Sequence, residues 1–438
     1  MDELLRAALQ EADEAEIYRT DSTGGRLGVT NSKVTDSTTS IRSGYALRII
    51  RDGRLGSAFT RNLLDRKQLV SNALASLKGN VEVGFSFPPQ GSFPDPEACD
   101  GSVSDMGPTD LARISNGVVD HLTGKTKGQI NVYTSYATNS VRIINSAGLD
   151  ASQVWSRVSL ASAILFPNTA TSVTKIFRFR APRDVPESSL DEQLRTYQAG
   201  LPLVDAPSGS MKLLLMPGSM FGFVWRLVAG ASGKTMHNRT SPLLGRRGER
   251  VISEKLTFYD DPLEEGTVGA RVFDDEGVAT GRLPIFERGV LRNVLLDLDY
   301  ASRLGEEPTG SGFRGGFMGG DEVTNSPGPM VCQPRIQPGE ADFDEMLATM
   351  DRGIMVLGVL GAHSGNIING DISIGLNPGY YVENGEIKGR VRDGMVAGNI
   401  YDMLQNVVAV EDRVHDTYGY WRFPCVLIDS VRVSAKGS

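Results

Sequence analysis

The sequence predicts an α+β fold with two domains: an N-terminal domain in which helices pack on antiparallel sheet, and a β-rich C-terminal domain. Three observations support this prediction. Helical periodicity is confined to a few short segments, strand-length runs fill most of the chain, and turn signals separate consecutive runs. The last pattern is typical of antiparallel sheets packed with helices. A chain of 438 residues is expected to form two or three domains.

Three segments of the first half have helical periodicity. The first dozen residues carry leucine or alanine at positions 4, 5, 8 and 9, which form one apolar stripe. Leu63–Leu77 returns to the same period, and a Pro/Gly-rich surface segment then runs from Pro88 to Pro108. A further helix is predicted over Thr109–Leu122, with Thr109 or Asp110 as its cap.

Strands are predicted between these helices. Residues 16–60 contain β-prone runs separated by Gly24-Gly25, Asn31-Ser32 and Asp52-Gly53, which predicts an antiparallel meander with turns at these three places. Asp52-Gly53 supplies the positive φ of a tight hairpin turn. Alternation resumes over residues 129–180, with a turn at residues 145–148.

The main domain boundary is predicted at the small, polar segment 205–210, which gives domains of residues 1–207 and 208–438. Strand-length runs dominate the second domain, among them RVFDD, GVLRNVLLDL, IMVLGVL, GYYVENG and PCVLIDSVRV. The most apolar window, Leu213–Ala231, is interrupted by Pro217, Gly218 and Arg226. It is therefore interpreted as a buried strand, a turn and a helix rather than a membrane span.

Composition argues against several classes of protein. Lys and Arg number 45 and Asp and Glu 53, a net charge of −8, so we expect neither nucleic acid nor a membrane surface as a partner. The three cysteines are too far apart for a C-x-x-C motif or a dense disulfide framework, and the acidic N-terminus lacks the features of a secretory signal. A cytoplasmic location is expected.

None of the common catalytic motifs occurs in this sequence in the context that its chemistry requires. Residues 310–315 satisfy G-x-G-x-x-G, but their flanks are those of a loop rather than of a strand and a helix. Neither a P-loop nor G-x-S-x-G occurs. Asp297 and Asp299, on a predicted strand, would face one side as a glycosidase pair does, although a solvated strand face is the simpler explanation.

Metal chemistry has weak support from the residues themselves. The four histidines are far apart and none is followed by Glu, so H-E-x-x-H is absent. A scattered site built from His237, His363, His415 and carboxylates stays open as an alternative.

Several ordered blocks resemble the TldD/PmbA family, a metallopeptidase group formerly linked to DNA gyrase. They include the DDP turn, FDDEGV, the RGVL turn and strand, the YVENGEI hairpin and the AGN helix start, together with VTNSKV…GYALRIIRDGRLGSAFT near the N-terminus. The resemblance covers nearly the whole chain. It implies an N-terminal α+β domain and a β-rich C-terminal domain.

The resemblance also implies a choice between two types of chain. TldD-type chains carry H-E-x-x-x-H on a helix and a downstream cysteine that hold zinc, whereas PmbA-type chains, also called TldE, lack the site and pair with a TldD-type partner. The best register places Val224, Trp225 and Ala229 at the His, Glu and His positions, on a helix within Met220–Gly230. None of these side chains can bind zinc. Tyr418-Gly419 occupies the neighbourhood of the cysteine, and Cys425 follows several residues late.

The resulting prediction is a metal-free PmbA/TldE-like subunit of a heteromeric zinc metallopeptidase that cleaves unfolded or extended peptides. Zinc and catalysis are expected in a TldD-like partner, and this chain would complete the substrate chamber. Gly312, Phe313, Arg314 and Gly315, in the glycine-rich loop Gly305–Gly320, are the candidate chamber wall.

Two alternatives are kept: a homodimeric peptide-binding protein without hydrolytic activity, and an independent hydrolase with a rearranged site such as His363, His415 and Asp416.

Overall fold

The structure is a computed structural model that describes residues 1–317, 319–417 and 420–435. Seven strands precede residue 180: β1 (Glu14–Thr30), β2 (Lys33–Arg51), β3 (Arg54–Thr60), β4 (Val81–Glu82), β5 (Gln129–Asn145), β6 (Asp150–Leu165) and β7 (Ser172–Phe179). The described helices are α1 (Asp2–Ala8), α2 (Arg66–Ser76), α3 (Pro108–Leu122), α4 (Glu187–Ala199), α5 (Phe221–Gly230), α6 (Gly233–His237), α7 (Leu298–Leu304), α8 (Phe343–Ala348) and α9 (Ile400–Gln405).

The remaining described strands follow residue 200. They are β8 (Leu203–Val204), β9 (Gly209–Leu215), β10 (Phe258–Asp260), β11 (Leu283–Glu287), β12 (Val290–Leu291), β13 (Gly312–Phe313), β14 (Gly328–Pro329), β15 (Pro334–Ile336), β16 (Arg352–Val356), β17 (Val359–Leu360), β18 (Asp371–Leu376), β19 (Gly379–Glu383), β20 (Glu386–Val391), β21 (Gly394–Asn399), β22 (Val407–Val410), β23 (His415–Asp416), β24 (Arg422–Phe423) and β25 (Val426–Ala435). Helices and antiparallel sheets together confirm the predicted α+β class.

The N-terminal strands form one antiparallel sheet in the order β4-β3-β2-β1-β5-β6-β7. Helices α1 and α2 pack on one part of it, through Leu4, Leu69 and Ala73. Helix α3 packs elsewhere because its apolar residues recur at helical spacing, as in Leu111, Ile114 and Val118, and they share a core with the second large sheet.

The second large sheet has the order β17-β18-β21-β25-β9-β16-β19-β20-β8, with β22 paired to β25. One of its faces contacts α3 and α4, and the other carries a larger core that includes α5, α6 and α9. A six-stranded sheet, β12-β11-β10-β15-β24-β23, and the β13-β14 pair complete the C-terminal half. The α3 and α4 layer therefore joins the two large sheets. The division at residue 207 stays a prediction.

The predicted hairpin at Asp52-Gly53 is confirmed. Strand β2 ends at Arg51 and β3 begins at Arg54, and both intervening residues have positive φ, 51° and 69°. The turn at Asn31-Ser32 is confirmed in the same way, with φ of 44° and 66°. Both turns join neighbouring antiparallel strands.

The predicted turn at Gly24-Gly25 is wrong, because β1 runs through both glycines without interruption. Glycine is needed there for close packing of neighbouring strands. A Cβ on Gly24 would lie 2.3 Å from the backbone oxygen of Tyr136, and one on Gly25 would lie 2.7 Å from the ring of the same tyrosine.

Two other local predictions are corrected. The run RVFDD forms no strand; it is a loop whose residue Phe273 makes an isolated bridge to Ala279. Asp297 and Asp299 do not lie on a strand either, because Asp297 is the N-cap of α7, accepting from the backbone N–H of Tyr300 at 2.8 Å. The predicted cap of α3 is displaced too: the helix begins at Pro108, and Asp110 accepts from the N–H of Gly107 at 2.9 Å.

The apolar window Leu213–Ala231 forms the predicted strand, turn and helix, β9 followed by α5. Arg226, within it, is fully buried and donates to four backbone carbonyls, those of Gly222, Ala362, Ser364 and Asp371. These acceptors explain how a guanidinium is accommodated in an apolar segment. No helix in the described part of the chain is long and apolar enough to cross a membrane.

Candidate functional site

A cavity of about 790 Å³ lies between the N-terminal sheet and loops of the C-terminal half. Strands β1, β2, β5 and β6 contribute one wall, through residues such as Thr20, Arg42, Asn139 and Arg157. The opposite wall comes from the C-terminal half; it includes Gly269, Arg271, Asp275, Phe313, Gly315, Gly316, Phe317, Gly319, Gly320, Cys332, Tyr420 and Trp421. The volume is within the range of ligand-binding clefts.

The predicted chamber residues divide into two groups. Phe313 and Gly315 line the cavity, whereas Gly312 and Arg314 are buried away from the lining. Arg314 is 2% exposed and its guanidinium carbon lies 4.5 Å from the ring centre of Tyr18. The loop residues that follow, Gly316 to Gly320 apart from the undescribed residue 318, continue the cavity wall. Contact with substrate stays a prediction for all four residues.

The acidic run Asp274-Asp275-Glu276 fixes this loop. The backbone N–H of Gly312 donates to Asp274 and that of Arg314 donates to Asp275, each at 2.8 Å. All three carboxylates are buried. This block of the family resemblance therefore has a structural function in the chain: its carboxylates hold the backbone of the cavity loop in place.

Below the cavity, a buried ionic network joins the two halves of the chain. Arg48 of β2 makes two hydrogen bonds to Glu16 of β1, at 2.8 and 2.9 Å, and one to Glu276 at 2.7 Å. The three side chains are at most 4% exposed. Burial opposes the charge, but the two carboxylates outweigh it and raise the pKa of Arg48 above its usual value. We call this group the ionic network.

Asp297 lies at the edge of the ionic network. Burial, together with the negative charge of Glu276, raises the pKa of Asp297 to about 7. Glu276 also accepts from the backbone N–H of Leu298 at 2.8 Å, so both carboxylates meet at the start of α7. Part of the negative charge of this region is thus removed near neutral pH.

Helix α5 presents aromatic side chains to the cavity wall. Trp225 stacks on Phe317 with ring centres 5.4 Å apart, and Phe221 stacks on Trp421 at 5.5 Å. Phe317 also contacts Phe221 and Trp421, at 5.0 and 4.9 Å. We call Phe221, Trp225, Phe317 and Trp421 the aromatic cluster. Its last two members line the cavity, so this end of the cavity is apolar.

The positions at which the family resemblance implies zinc ligands do not fit a metal. Val224 is buried in the hydrophobic core, Trp225 belongs to the aromatic cluster, and Ala229 is half-buried. None of these side chains has a donor atom that zinc accepts. Tyr418-Gly419, the neighbourhood of the implied cysteine, lies outside the described residues.

One group of possible metal ligands occurs elsewhere in the described residues: Glu411, His415 and Cys425, whose ligand atoms lie within 4.8 Å of one another. Their polar atoms already satisfy one another. Glu411, 1% exposed, accepts from Nε2 of His415 at 2.9 Å and from the backbone N–H of Cys425 at 3.0 Å. None of the three lines the large cavity. The sulfur of Cys425 lies 3.7 Å from that of Met216.

The other two suggested histidines, His237 and His363, do not join this group, and both are exposed. His363 is exposed, in a loop whose neighbouring carbonyls, of Ala362 and Ser364, accept from Arg226. Asp416 lines a second, smaller cavity and lies 3.7 Å from Arg422. The rearranged set of His363, His415 and Asp416 therefore does not form a cluster of metal ligands in the described structure.

The cavity wall also contains a thiol, that of Cys332. Burial, together with the carboxylate of Asp260, raises its pKa well above its usual value, so it stays protonated at neutral pH. No histidine occurs among the described residues that line either cavity. The described lining therefore offers surfaces for binding, but no thiolate or imidazole to start covalent chemistry.

The second cavity, of about 370 Å³, shares Tyr420 with the first. Three arginines line it, Arg178, Arg335 and Arg422. The guanidinium of Arg335 already has hydrogen-bond partners: it donates to Glu264 at 3.0 Å and to the backbone oxygen of Tyr420 at 2.9 Å. These cationic residues could not be predicted as a group from the sequence, because no local pattern connects positions so far apart in the chain.

Comparison with known proteins agrees with this fold. Residues 208–435 match the family profile described as PmbA/TldA metallopeptidase C-terminal domain, and residues 15–77 match PmbA/TldA metallopeptidase domain 1. An uncharacterised protein of Methanocaldococcus jannaschii is 25% identical over 94% of this chain and 95% of its own length. A metalloprotease of Methanothermobacter thermautotrophicus is 25% identical over 84% of this chain and 81% of its own length.

Among solved structures, TldE from Thermococcus kodakarensis superimposes with a TM-score of 0.88, covering 99% of this chain and 100% of that one at 24% identity. This similarity shows the fold. The C-terminal profile match spans more than half of the 438 residues. The chain therefore belongs to the PmbA/TldD family of metallopeptidases.

Proposed function

We propose that this chain is the metal-free, PmbA/TldE-like subunit of a heteromeric zinc metallopeptidase that acts on unfolded or extended peptides. In this proposal a TldD-like partner holds zinc and carries out hydrolysis. The present chain binds the partner, completes the peptide chamber and contributes binding surface to it. When bound in the partner, zinc would polarise the scissile carbonyl and lower the pKa of its water.

The observation that carries the proposal is the replacement of potential ligands on α5 by an aromatic surface. Trp225, at the position of the general base, stacks on Phe317 of the cavity loop. A zinc site would need two imidazoles and a water at this place, and the aromatic cluster fills the space with apolar rings instead. The same rings suit the side chains of an unfolded peptide, since extended chains expose apolar groups.

The chemistry of the large cavity supports the same proposal. Its described lining has no histidine, and its thiol is held protonated by burial and by Asp260. The wall offers aromatic rings, backbone groups of a glycine-rich loop and arginine side chains, together with the carboxyl groups of Asp275, Asp321 and Glu322. Asp275 is paired with Arg271 and Asp321 with Arg61, and the rings, backbone groups and arginines are suited to binding and orienting a peptide.

The experiment is to produce this chain alone, a TldD-like chain alone and the two together, and to measure zinc by mass spectrometry and hydrolysis of an unfolded protein. We expect zinc at one equivalent in the partner, less than 0.1 equivalent in this chain, and at least a tenfold higher rate for the mixture than for this chain. Copurification of both chains is expected.

The contrary result is also defined. Stoichiometric zinc in the isolated chain, with hydrolysis that is lost on His415→Gln or Cys425→Ser, would overturn the proposal and favour an independent hydrolase built on Glu411, His415 and Cys425. Cys99→Ser is the matched control, because Cys99 is a free, exposed thiol outside that group. Peptide binding by a homodimer with no effect of the partner would favour the non-hydrolytic alternative.

A further inference from the structure

Two arginines of the N-terminal sheet lie side by side without a carboxylate partner. Arg157 is on β6 and Arg178 on β7, and the register pairs Arg178 with Ser159, so the two arginines are diagonal neighbours on one face of the sheet. Among the described residues, neither has a carboxylate oxygen within 4.0 Å, whereas nearby Arg271 pairs with Asp275 at 2.7 Å. Two positive charges at this spacing repel each other, and an anion beside both would compensate the repulsion.

The contacts of the two guanidinium groups leave hydrogen-bonding capacity. Arg157 donates to the hydroxyl of Tyr420 at 3.3 Å, and its Nε is buried without a hydrogen-bond partner in the described structure. Arg178 donates to the backbone oxygen of Thr417. Burial lowers the pKa of Arg178 to about 10. The negative charge of Asp416 opposes this shift, whereas the positive charges of Arg157 and Arg335 add to it. An oxyanion beside them would relieve this repulsion.

The pair lies where the two cavities meet. Arg157 lines the large cavity, Arg178 lines the small one, and Tyr420 lines both. The ring centre of Tyr420 is 5.6 Å from the guanidinium carbon of Arg157 and 6.0 Å from that of Arg178. Gly269 permits this placement, because a Cβ there would lie 2.7 Å from the ring of Tyr420. Arg157 is therefore accessible from the large cavity and Arg178 from the small one, on either side of Tyr420.

We propose that Arg157 and Arg178 form a carboxylate-binding subsite at Tyr420, where the two cavities meet, and that it fixes one end of a peptide lying along the large cavity. The inference rests on the proposed function and adds a direction to it: the peptide carboxylate lies at Tyr420, and the preceding apolar side chains lie toward Phe317 and Trp421. Two guanidinium groups can bind both oxygens of a carboxylate, which neutral side chains cannot do with comparable strength. The C-terminal carboxylate and an Asp or Glu side chain share this chemistry.

The test measures binding of fluorescein-labelled, unstructured decapeptides to the full chain by fluorescence anisotropy at low salt. One peptide has a free C-terminal carboxylate, the second a C-terminal amide, and the third a C-terminal amide preceded by glutamate. We expect wild type to bind the first at least tenfold more tightly than the second. The third distinguishes the sources: affinity equal to that of the free acid shows that a side-chain carboxylate also suffices.

The variant Arg157→Gln/Arg178→Gln is expected to remove the preference for the free acid and to leave the affinity for the amide within twofold. Arg180→Gln is the matched control, since Arg180 is exposed, directly follows β7 and pairs with Glu97 outside both cavities. It should retain the preference. If the double glutamine variant does not fold, Arg157→Lys/Arg178→Lys keeps both charges and should lower the preference by about threefold through loss of bidentate geometry.

The inference is overturned if wild type binds none of the peptides, if it binds free acid and amide equally, or if the double variant keeps the full preference. These outcomes are independent of the proposed division of chemistry between subunits, which depends on zinc content and on hydrolysis by the mixture. A chain without zinc that also shows no carboxylate preference would remove this subsite and leave the subunit assignment in place.

Discussion

The buried ionic network and the half-buried aromatic cluster differ in chemistry. The ionic network consists of charged side chains, each compensated by a partner from another part of the chain, as Arg48 is by Glu16 and Glu276. The aromatic cluster has no charge and is held by ring contacts between α5 and two loops. The difference shows that ionisable residues in this protein are not themselves a guide to chemistry: a buried charged region supports structure, whereas the helix at the position of the TldD-type metal motif is apolar.

The largest expected effect concerns the ionic network. Arg48→Met should lower the free energy of unfolding by about 3–5 kcal/mol, because Glu16 and Glu276 would stay buried without their shared cation. Urea denaturation followed by circular dichroism measures it. Arg142→Met is the control, because it removes an exposed pair with Asp150 and should cost about 1 kcal/mol or less. Equal stability of the two variants would contradict the structural function of the network.

A smaller effect is expected in the aromatic cluster. Trp225→Ala should lower the free energy of unfolding by about 2 kcal/mol, because a half-buried indole loses its contacts with Phe317 and Phe221. Trp225→Phe keeps an aromatic ring at the same position and should cost less than about 1 kcal/mol. The same denaturation assay applies. A loss below about 0.5 kcal/mol for the alanine variant would show that the cluster contributes little to packing.

The last expected effect depends on pH. The pKa of Asp297 is about 7 in the folded chain, above the ordinary aspartate value, so the protonated carboxyl favours the folded state at low pH. This contribution is lost as pH rises from about 4 to about 7. Asp297→Asn removes the titration and keeps an N-cap for α7. The variant should therefore gain stability relative to wild type, on the order of 2 kcal/mol, between pH 4.5 and 7.5.

That pH effect is read from urea denaturation of both proteins across the range. Asp299→Asn is a matched control on the same helix, because Asp299 forms a more exposed pair with Arg303. Parallel stability curves for wild type and Asp297→Asn would show that Asp297 is solvated rather than held beside Glu276.

Local turns and helices were predictable because their causes are local. Asp52-Gly53 specifies a tight hairpin through two positive φ angles, and α3 follows from apolar residues at helical spacing. The prediction failed at Gly24-Gly25 because the reason for glycine lies on another strand, at Tyr136. A small residue required by a neighbour has the same local signature as one required by a turn.

The candidate site was predictable only in part. The resemblance identified α5 and its non-ligating residues, Val224, Trp225 and Ala229, but not the rings that cover them, because Phe317 and Trp421 come from distant loops. The proximity of Arg157 and Arg178 could not be predicted for a similar reason. It depends on the register of β6 and β7 and on the position of Tyr420, and neither can be read from residues that are adjacent in sequence.

The bond between Arg48 and Glu276 crosses the predicted boundary at residue 207, and so do the contacts of the α3 and α4 layer with the second large sheet. Separating the halves would expose a charged interior on one side and an apolar layer on the other. The two domains should consequently melt in a single cooperative transition, and a fragment cut at the boundary should be aggregation-prone rather than a small independent protein.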